Sequence, residues 1–224
     1  AAAGLMIRSL AHPRQAKLGF HPAHVLLARI ELNSTAYPSA KKAAFTRQVL
    51  DHLKATPGVE SAAFGTFAPL GLEGGSWEDL SFEGYTPSPE ESLKIYGNAL
   101  SPGYFSTLHI PILEGRDFDE RDRRDSQPVI ILSQAAARRY FPGGALGRRV
   151  KQGDDWRTVV GVAADIKVHH LSEPPQAFAY YPLTQWYTTG LTLHVRASGN
   201  PAALLPAVRQ AVADADPDLP LVAM

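Results

Sequence analysis

The sequence predicts an α+β fold in which two β-α-β units at the chain ends flank a β-rich insert. Three observations favour this class. A strand-like alternation, a helical stripe and a second strand-like run follow one another in residues 25–66. The same order returns in residues 191–224. Between them, residues 67–190 are rich in Gly, Pro, aromatic residues and short apolar runs. Along the chain, the first unit is therefore followed by the insert and then by the second unit.

The first unit begins at residues 25–32, where apolar side chains alternate with other positions and predict a strand. A helix is predicted from about Ser39, because apolar residues then recur every four positions on one stripe. Pro57 and Gly58 end this helix, and residues 59–66 return as a second strand. The alternation places these strand residues on one face: Leu26, Ala28, Ile30 and Leu32. The helical stripe holds Phe45, Val49 and Leu53.

The second unit begins with the alternation of residues 191–197. Asn200 followed by Pro201 is typical of a helix start, because Asn caps free N–H groups and Pro is tolerated in the first turn. Pro206 must then lie in a first turn or bend the helix. A last strand is predicted at residues 221–224. Because one β-α-β unit cannot cover its own sheet, we expect both units to share one four-stranded sheet with two helices.

The insert predicts a mostly β subdomain. Short strand-like runs occur at residues 128–133, 157–168 and 178–183. One short helix is predicted between the first two runs, and Ser133 is a suitable N-cap for it.

The composition excludes several kinds of chemistry. The chain has no cysteine, which rules out disulfides, thiol catalysis, zinc–thiolate sites and iron–sulfur clusters. Its formal net charge is zero and its isoelectric point is about 7.3. No charge excess therefore indicates binding to nucleic acid or to an anionic surface.

No motif predicts a catalytic, cofactor or metal site. His169 and His170 are adjacent, and adjacent strand residues face opposite ways, so they make a poor metal-binding pair. The acidic residues of 114–125 break the spacing of an EF-hand at its fifth and sixth positions. The glycines of residues 64–76 lack the spacing of a P-loop or a dinucleotide site, and no Gly-x-Ser-x-Gly motif is present. We therefore predict no catalytic residue, no cofactor and no metal.

Residues 1–22 predict the end of a membrane helix followed by a linker. The apolar run of residues 1–7 is followed by Arg8, Arg14 and Lys17, which is typical of a helix that leaves a membrane. The run is itself too short to span a bilayer, which needs about 20 apolar residues. No charged region precedes it, as a cleavable signal would require. A frayed N-terminal helix is the alternative.

Three blocks of the insert resemble a known family. They are SPGYFSTLHIPILEGRDF (residues 101–118), PVIILSQAAARRYFPGGALGRRV (128–150) and WRTVVGVAADIKVHHLSEPPQAFAYYPL (156–183). Their order and spacing resemble the periplasmic core domain of MacB-type ABC transporter permeases, in the FtsX-like permease superfamily. The opening AAAGLMIRSL with LGFHPAHVLLARIEL and the closing DADPDLPLV are similar to the same family. The resemblance covers nearly the whole chain.

The resemblance implies a division of the chain and a set of structural residues. Residues 23–68 and 188–224 would form a porter-like α+β subdomain, and residues 69–187 an inserted β-rich subdomain. Tyr104 and Phe105 would anchor the core. The full set of predicted signature residues is Pro102, Gly103, Tyr104, Phe105, Pro111, Gly115, Arg116, Asp117, Tyr140, Phe141, Pro142, Gly147, Gly161 and Asp165. The resemblance implies a structural role for them and supplies no catalytic residue.

The resemblance also implies a function. The domain would lie on the periplasmic side of an inner-membrane permease and couple cytoplasmic ATP hydrolysis to export or efflux, without being an enzyme itself. Its partners would be a cytoplasmic ATP-binding subunit or domain and a second permease copy in a homodimer. Some members also use a periplasmic adaptor and an outer-membrane channel. Nucleic acid is not an expected partner.

Two alternatives stay open on the residues alone. A soluble periplasmic module that binds a small molecule or peptide would need a concave pocket with convergent polar groups. Trp77, Trp156, Trp186 and Tyr187 would be candidates to line it. An enzyme with dispersed catalytic residues is the other alternative. Membrane helices on either side of the segment would distinguish a transporter domain from both.

Overall fold

The computed structural model describes residues 5–9, 17–32, 36–71, 76–186 and 188–219, and it confirms the predicted α+β class. The strands are β1 (Leu5–Ser9), β2 (Val25–Glu31), β3 (Val59–Gly65), β4 (Ser76–Phe82), β5 (Lys94–Leu100), β6 (Ile112–Gly115), β7 (Val129–Ser133), β8 (Arg149–Gln152), β9 (Asp155–Ala163), β10 (Phe178–Pro182) and β11 (Gly190–Ala197). The helices are α1 (Ser39–Lys54), α2 (Tyr104–Leu108), α3 (Gln134–Tyr140) and α4 (Leu205–Ala215).

Strands from the two chain ends interleave in one part of the sheet. β11 pairs with β2 on one side and with β3 on the other, antiparallel to both, so β2 and β3 run parallel with β11 between them. α1 connects β2 to β3, α4 follows β11, and the two helices contact each other. These contacts join the two predicted β-α-β units. The predicted last strand, residues 221–224, lies outside the described residues.

The alternation along β2 separates two hydrophobic layers. Its predicted apolar face packs in one cluster with α1, including Phe45, Val49 and Leu53, and with α4. Val25 and Leu27 belong to a second cluster, which α2 covers. The predicted face of β2 and the stripe of α1 are therefore confirmed. Full burial of each such side chain stabilises the fold by about 1.5–3 kcal/mol.

The helix after β11 begins later than predicted. Asn200 accepts the N–H of Ala202 at 3.0 Å, as a helix cap would, but it caps a 3₁₀ turn, Pro201–Leu204. α4 itself starts at Leu205, so Pro206 lies in its first turn. A missing N–H in that position loses no hydrogen bond of the helix.

The insert closes into a barrel. Hydrogen bonds run in the order β5-β10-β7-β9-β8-β4, and β4 pairs back onto β5, so the six strands form a closed ring. β6 lies outside the ring and pairs with β9. One residue pair, Gly65 of β3 opposite Leu100 of β5, joins the barrel to the strands of the chain ends. α2 was not predicted, because a helix of five residues is too short to show a helical period.

Leu5–Ser9, within the segment 1–22 for which the sequence predicts a helix end and a linker, form the strand β1. β1 pairs antiparallel with β2, from Leu5 opposite Ile30 to Ser9 opposite Leu26. The pairing satisfies backbone N–H and C=O groups that would otherwise be free along the outer edge of β2. Among the described residues, no helix combines the length and the apolar character that a membrane crossing needs.

Candidate functional site

The block 101–118 folds around α2. Gly103 precedes this helix with φ 82°, a left-handed conformation that Gly adopts without steric cost. Tyr104 and Phe105 are fully buried. Tyr104 meets His194 of β11 edge-to-face, and Phe105 meets Tyr180 of β10 in the same way, each with 5.0 Å between ring centroids. The two rings thereby fix α2 against one strand of the chain ends and one strand of the barrel.

Arg116 pairs with Asp122, a partner that the sequence analysis missed. Two parallel hydrogen bonds join Nη1 and Nη2 of Arg116 to the Asp122 carboxylate, at 2.7 and 2.8 Å. The Asp122 side chain is 4% exposed and also accepts the backbone N–H of Asp119 at 3.0 Å. A bidentate pair fixes direction as well as distance, so it holds the loop after β6 in one geometry.

The carboxylate of Asp117 binds backbone N–H groups, while Nη1 of Arg116 donates to the backbone carbonyl of Asp117 at 3.0 Å. Its Oδ1 accepts the N–H of Phe118 at 2.6 Å, and a backbone hydrogen bond from Gly103 also stabilises the carboxylate. Burial nevertheless raises the pKa of Asp117 from 3.8 to about 6. The carboxylate links the loop after β6 to the start of α2.

Gly115 and Gly161 lie opposite each other where β6 crosses β9. A Cβ on Gly161 would lie 2.4 Å from the carbonyl oxygen of Arg116. A Cβ on Gly115 would lie 2.2 Å from the carbonyl oxygen of Val160, and Gly115 also has φ 74°. Both positions therefore require a residue without a side chain.

The block 128–150 places α3 beside the barrel strands. The Oγ of Ser133 accepts the N–H of Ala136 at 3.2 Å, which confirms the predicted cap. Tyr140 stacks on Phe82 of β4 with 3.7 Å between ring centroids, and Phe141 meets Phe82 edge-to-face. These rings belong to the same hydrophobic cluster as the side chains of the barrel strands.

The other signature residues lie in turns and at the ends of elements. Oδ1 of Asp165 accepts a backbone N–H in the first turn of α3 at 2.8 Å. The carbonyl of Pro111 accepts the N–H of the residue after β9, also at 2.8 Å. Gly147 has φ 75°, and Pro102 and Pro142 lie in turns. Each contact is one of packing, a turn or backbone hydrogen bonding.

Arg196 of β11 joins three segments through its guanidinium group. Nε donates to the carbonyl of Thr107 in α2 at 2.6 Å, Nη1 to that of Ala23 at 2.9 Å and Nη2 to that of His21 at 2.7 Å. The side chain is buried. Residues 17–24, called the leading segment below, are therefore tied to both β11 and α2.

A cleft of about 570 Å³ opens beside the leading segment, and Pro111 also lines it. His21 and His109 lie among its lining residues, with 3.1 Å between their Nδ1 atoms. Nε2 of His109 lies 4.0 Å from a carboxylate oxygen of Glu60. Desolvation, followed by the positive charge of Arg196, lowers the pKa of His109.

Comparison with known proteins identifies the family. The sequence profile of the MacB-like periplasmic core domain matches residues 21–215. The chain belongs to this family. A search of curated proteins finds no match.

Two solved structures share the fold of this MacB-like domain. One is the periplasmic region of MacB from Actinobacillus actinomycetemcomitans, with a TM-score of 0.56 and 13% identity over 88% of this chain and 85% of that one. The other is the extracellular domain of the noncanonic ABC-type transporter YknZ from Gram-positive bacteria, with a TM-score of 0.51 and 19% identity over 83% of this chain and 91% of that one.

Of the aromatic residues considered for a binding pocket, the three tryptophans do not line the cleft of the MacB-like domain. Trp77 and Trp156 are exposed on barrel strands. Trp186 stacks on Tyr181 with 4.4 Å between ring centroids. Tyr187 lies outside the described residues. Within the described ranges, no group of three or more His, Asp or Glu side chains is placed to hold a metal ion.

His194 and Asp117 should give the MacB-like domain opposing pH dependences. Burial lowers the pKa of His194 from 6.5 to about 4, so the unfolded chain binds the extra proton between these values and stability falls on acidification. The pKa of Asp117 is raised from 3.8 to about 6, so the native state binds the extra proton and stability rises. The two effects largely cancel in the wild type.

Single substitutions should separate the two contributions. As the pH falls from 7 to 4, the free energy of unfolding of His194→Asn is expected to rise by about 3 kcal/mol relative to that of the wild type. That of Asp117→Asn is expected to fall by about 2 kcal/mol relative to the wild type. Urea denaturation at several pH values measures both. A difference from the wild type that stays constant with pH would show that the side chain titrates normally.

Proposed function

We propose that this chain is the extracytoplasmic domain of an ABC transporter permease of the MacB/FtsX type. It is non-catalytic and couples cytoplasmic ATP hydrolysis to periplasmic export or efflux. The family match over residues 21–215, which includes all three blocks of the insert, carries this proposal. The two structural relatives are a periplasmic region and an extracellular domain, which favours the same side of a membrane for this chain.

The proposal assigns the partners as well. The sequence has no Walker motif, so a separate cytoplasmic ATP-binding subunit or domain supplies hydrolysis. The permease lies in the inner membrane as a homodimer, with this segment in the periplasm. A periplasmic adaptor and an outer-membrane channel complete the path in family members that export across both membranes.

The sheet supports the proposed division into subdomains. Residues 23–68 and 188–224 form the porter-like α+β subdomain, and residues 69–187 form the inserted β-rich subdomain. Support comes from the strand pairing, because β3 and β5 share a single residue pair whereas each part has extensive pairing of its own. Side chains of both parts meet in the hydrophobic clusters. The signature residues then serve to hold the insert and its junction in shape.

Arg196 supplies a physical route for coupling. In the proposed permease, the leading segment connects the domain to the membrane. Its carbonyls at positions 21 and 23 share one buried guanidinium with α2. A displacement of the leading segment therefore acts directly on α2, whose rings contact both subdomains.

A spin-label experiment tests this coupling in the full-length permease with its ATP-binding partner. The chain has no cysteine, and a Cβ added at Gly143 meets no atom within 4 Å, so Gly143→Cys gives one label site per domain. We expect ATP to change the label-to-label distance across the homodimer. Arg196→Gln should abolish that change while ATP hydrolysis continues near the wild-type rate, because three carbonyls lose their donors at a local cost of about 3 kcal/mol.

Arg149→Gln is the matched control, since it removes the same charge from an exposed pair with Glu83 on the barrel. It should leave the ATP-dependent distance change intact. If Arg196→Gln showed the same ATP-dependent distance change as the wild type, this would contradict coupling through the Arg196 contacts. Recovery of the full-length product in the soluble periplasmic fraction would contradict the permease assignment itself and favour the binding-module alternative.

A further inference from the structure

We propose that His21 and His109 form a two-imidazole site for a divalent first-row transition-metal ion such as Cu²⁺, Ni²⁺ or Zn²⁺. This site goes beyond the proposed coupling function and does not depend on it. The sequence predicts no metal site, because the two residues lie 88 positions apart and no motif spacing indicates the pair.

The distance between the two ring nitrogens fits one shared ion. Nδ1 of His21 lies 3.1 Å from Nδ1 of His109. Two imidazole nitrogens at about 2.0–2.1 Å from one ion lie about 2.9 Å apart in a square-planar arrangement and about 3.4 Å apart in a tetrahedral one. The observed separation falls between these values, so the two nitrogens already lie at a spacing that one shared ion requires.

The backbone holds both residues in place before any ion binds. The N–H of His21 donates to the carbonyl of Leu108 at 2.8 Å, and its own carbonyl accepts from Arg196 at 2.7 Å. His109 is the C-cap of α2, with φ 53° and its N–H donating to Ser106. The end of α2 and the leading segment thus hold the two backbones in place, so that only the side chains have to adjust when an ion binds.

Glu60 lies beside the pair, on the far side of the His109 ring from His21. Its carboxylate lies 4.0 Å from Nε2 of His109, the ring nitrogen that does not face His21. A metal-ligating imidazole usually donates its other N–H to such a group, which leaves the ligating nitrogen unprotonated. At 4.0 Å the two groups are too far apart for a hydrogen bond in this structure, but the negative charge of Glu60 favours a proton on Nε2 and so leaves Nδ1 available to an ion.

The surroundings define the kind of ion and the strength of binding. Imidazole nitrogens suit Cu²⁺, Ni²⁺ and Zn²⁺, whereas Mg²⁺ and Ca²⁺ need oxygen ligands. The described residues provide no third His, Asp or Glu ligand, so water or a second molecule would fill the remaining positions. The His109 side chain is 43% exposed, which leaves room for those ligands. The positive charges of Lys17 and Arg196 near the site keep the affinity moderate.

The same distance also suits a simple hydrogen bond between two neutral imidazoles, and metal titration separates the two cases. The titration uses the tag-free 224-residue chain with Cu²⁺, Ni²⁺, Zn²⁺ and Mg²⁺ in turn, followed by calorimetry. We expect one ion per chain, with Cu²⁺ bound most tightly and Mg²⁺ not bound. Electron paramagnetic resonance of the Cu²⁺ form should show coupling to two imidazole nitrogens.

Two variants keep the test decisive if one of them fails to fold. His21→Gln removes one ligand, and His109→Asn removes the other while keeping a residue that tolerates the left-handed conformation. Each should weaken Cu²⁺ binding at least tenfold. His24→Gln is the control, because His24 belongs to the same segment but contacts the carbonyl of Gly199; its affinity should stay within twofold of wild type. Wild-type affinity in both ligand variants, or Mg²⁺ binding equal to Zn²⁺, would overturn the proposal in favour of a hydrogen-bonded pair.

Discussion

Gly161→Ala is expected to destabilise the MacB-like domain by at least about 3 kcal/mol, which is large for the addition of one methyl group. The added Cβ would lie 2.4 Å from the carbonyl oxygen of Arg116 and 3.3 Å from Cγ1 of Ile131. The closer contact is with backbone, so no side-chain rotation relieves it. β6 would have to move away from β9, and this movement would displace Arg116 and Asp117 from their partners.

Urea denaturation of the purified domain measures the loss, and the thermal midpoint should fall by about 6–12 °C. Gly143→Ala is the matched control, because its Cβ would meet no atom within 4 Å. That variant should stay within about 0.5 kcal/mol of the wild type. If Gly161→Ala were as stable as Gly143→Ala, β6 and β9 could not approach each other as closely as described.

Local patterns were sufficient to predict β2 and α1. The alternate positions of β2 pack in one hydrophobic cluster with the four-residue stripe of α1, and both patterns can be recognised without knowing a distant partner. Ser133 was predicted as a cap because its role depends only on the residues that follow it. Asp117 carries a weaker local signal, because its carboxylate could bind either the neighbouring Arg116 or backbone N–H groups, and only the structure selects the backbone.

Features that depend on distant partners could not be predicted in this way. Closure of the barrel requires β4 to pair back onto β5 and to meet β8, and no local pattern encodes either partner. β1 forms because the outer edge of β2 accepts it, although its apolar residues suit a helix equally well. The contacts of Arg196 join residues up to 175 positions apart.

The partner of Arg116 could not be predicted from the sequence either, although it lies only six residues away. Several carboxylates follow Arg116 within ten residues, and charge alone ranks none of them above the others. Asp122 differs from them in being buried, which depends on how the loop packs and not on its composition. The structure also assigns Asp119 a second role, since its carboxylate binds Arg121 at 2.7 Å.

Arg116→Met is expected to destabilise the domain by about 3–5 kcal/mol, because it leaves a buried carboxylate without its counter-ion. Asp122 would retain only backbone donors such as the N–H of Asp119. A double-mutant cycle with Asp122→Asn isolates the pair. The double variant should be more stable than the sum of the single losses predicts, by about 2 kcal/mol, since neither charge is then left alone.

Arg121→Met gives the matched control for this cycle. It removes the same charge five residues further along the loop, from a pair whose Arg121 side chain is 77% exposed. An exposed ion pair contributes little to stability, because water screens both charges and two mobile side chains must be ordered. Urea denaturation should therefore find a far smaller loss for Arg121→Met than for Arg116→Met. Equal losses would mean that the loop after β6 is held by its backbone contacts alone, and that Arg116 belongs to the signature for a reason other than stability.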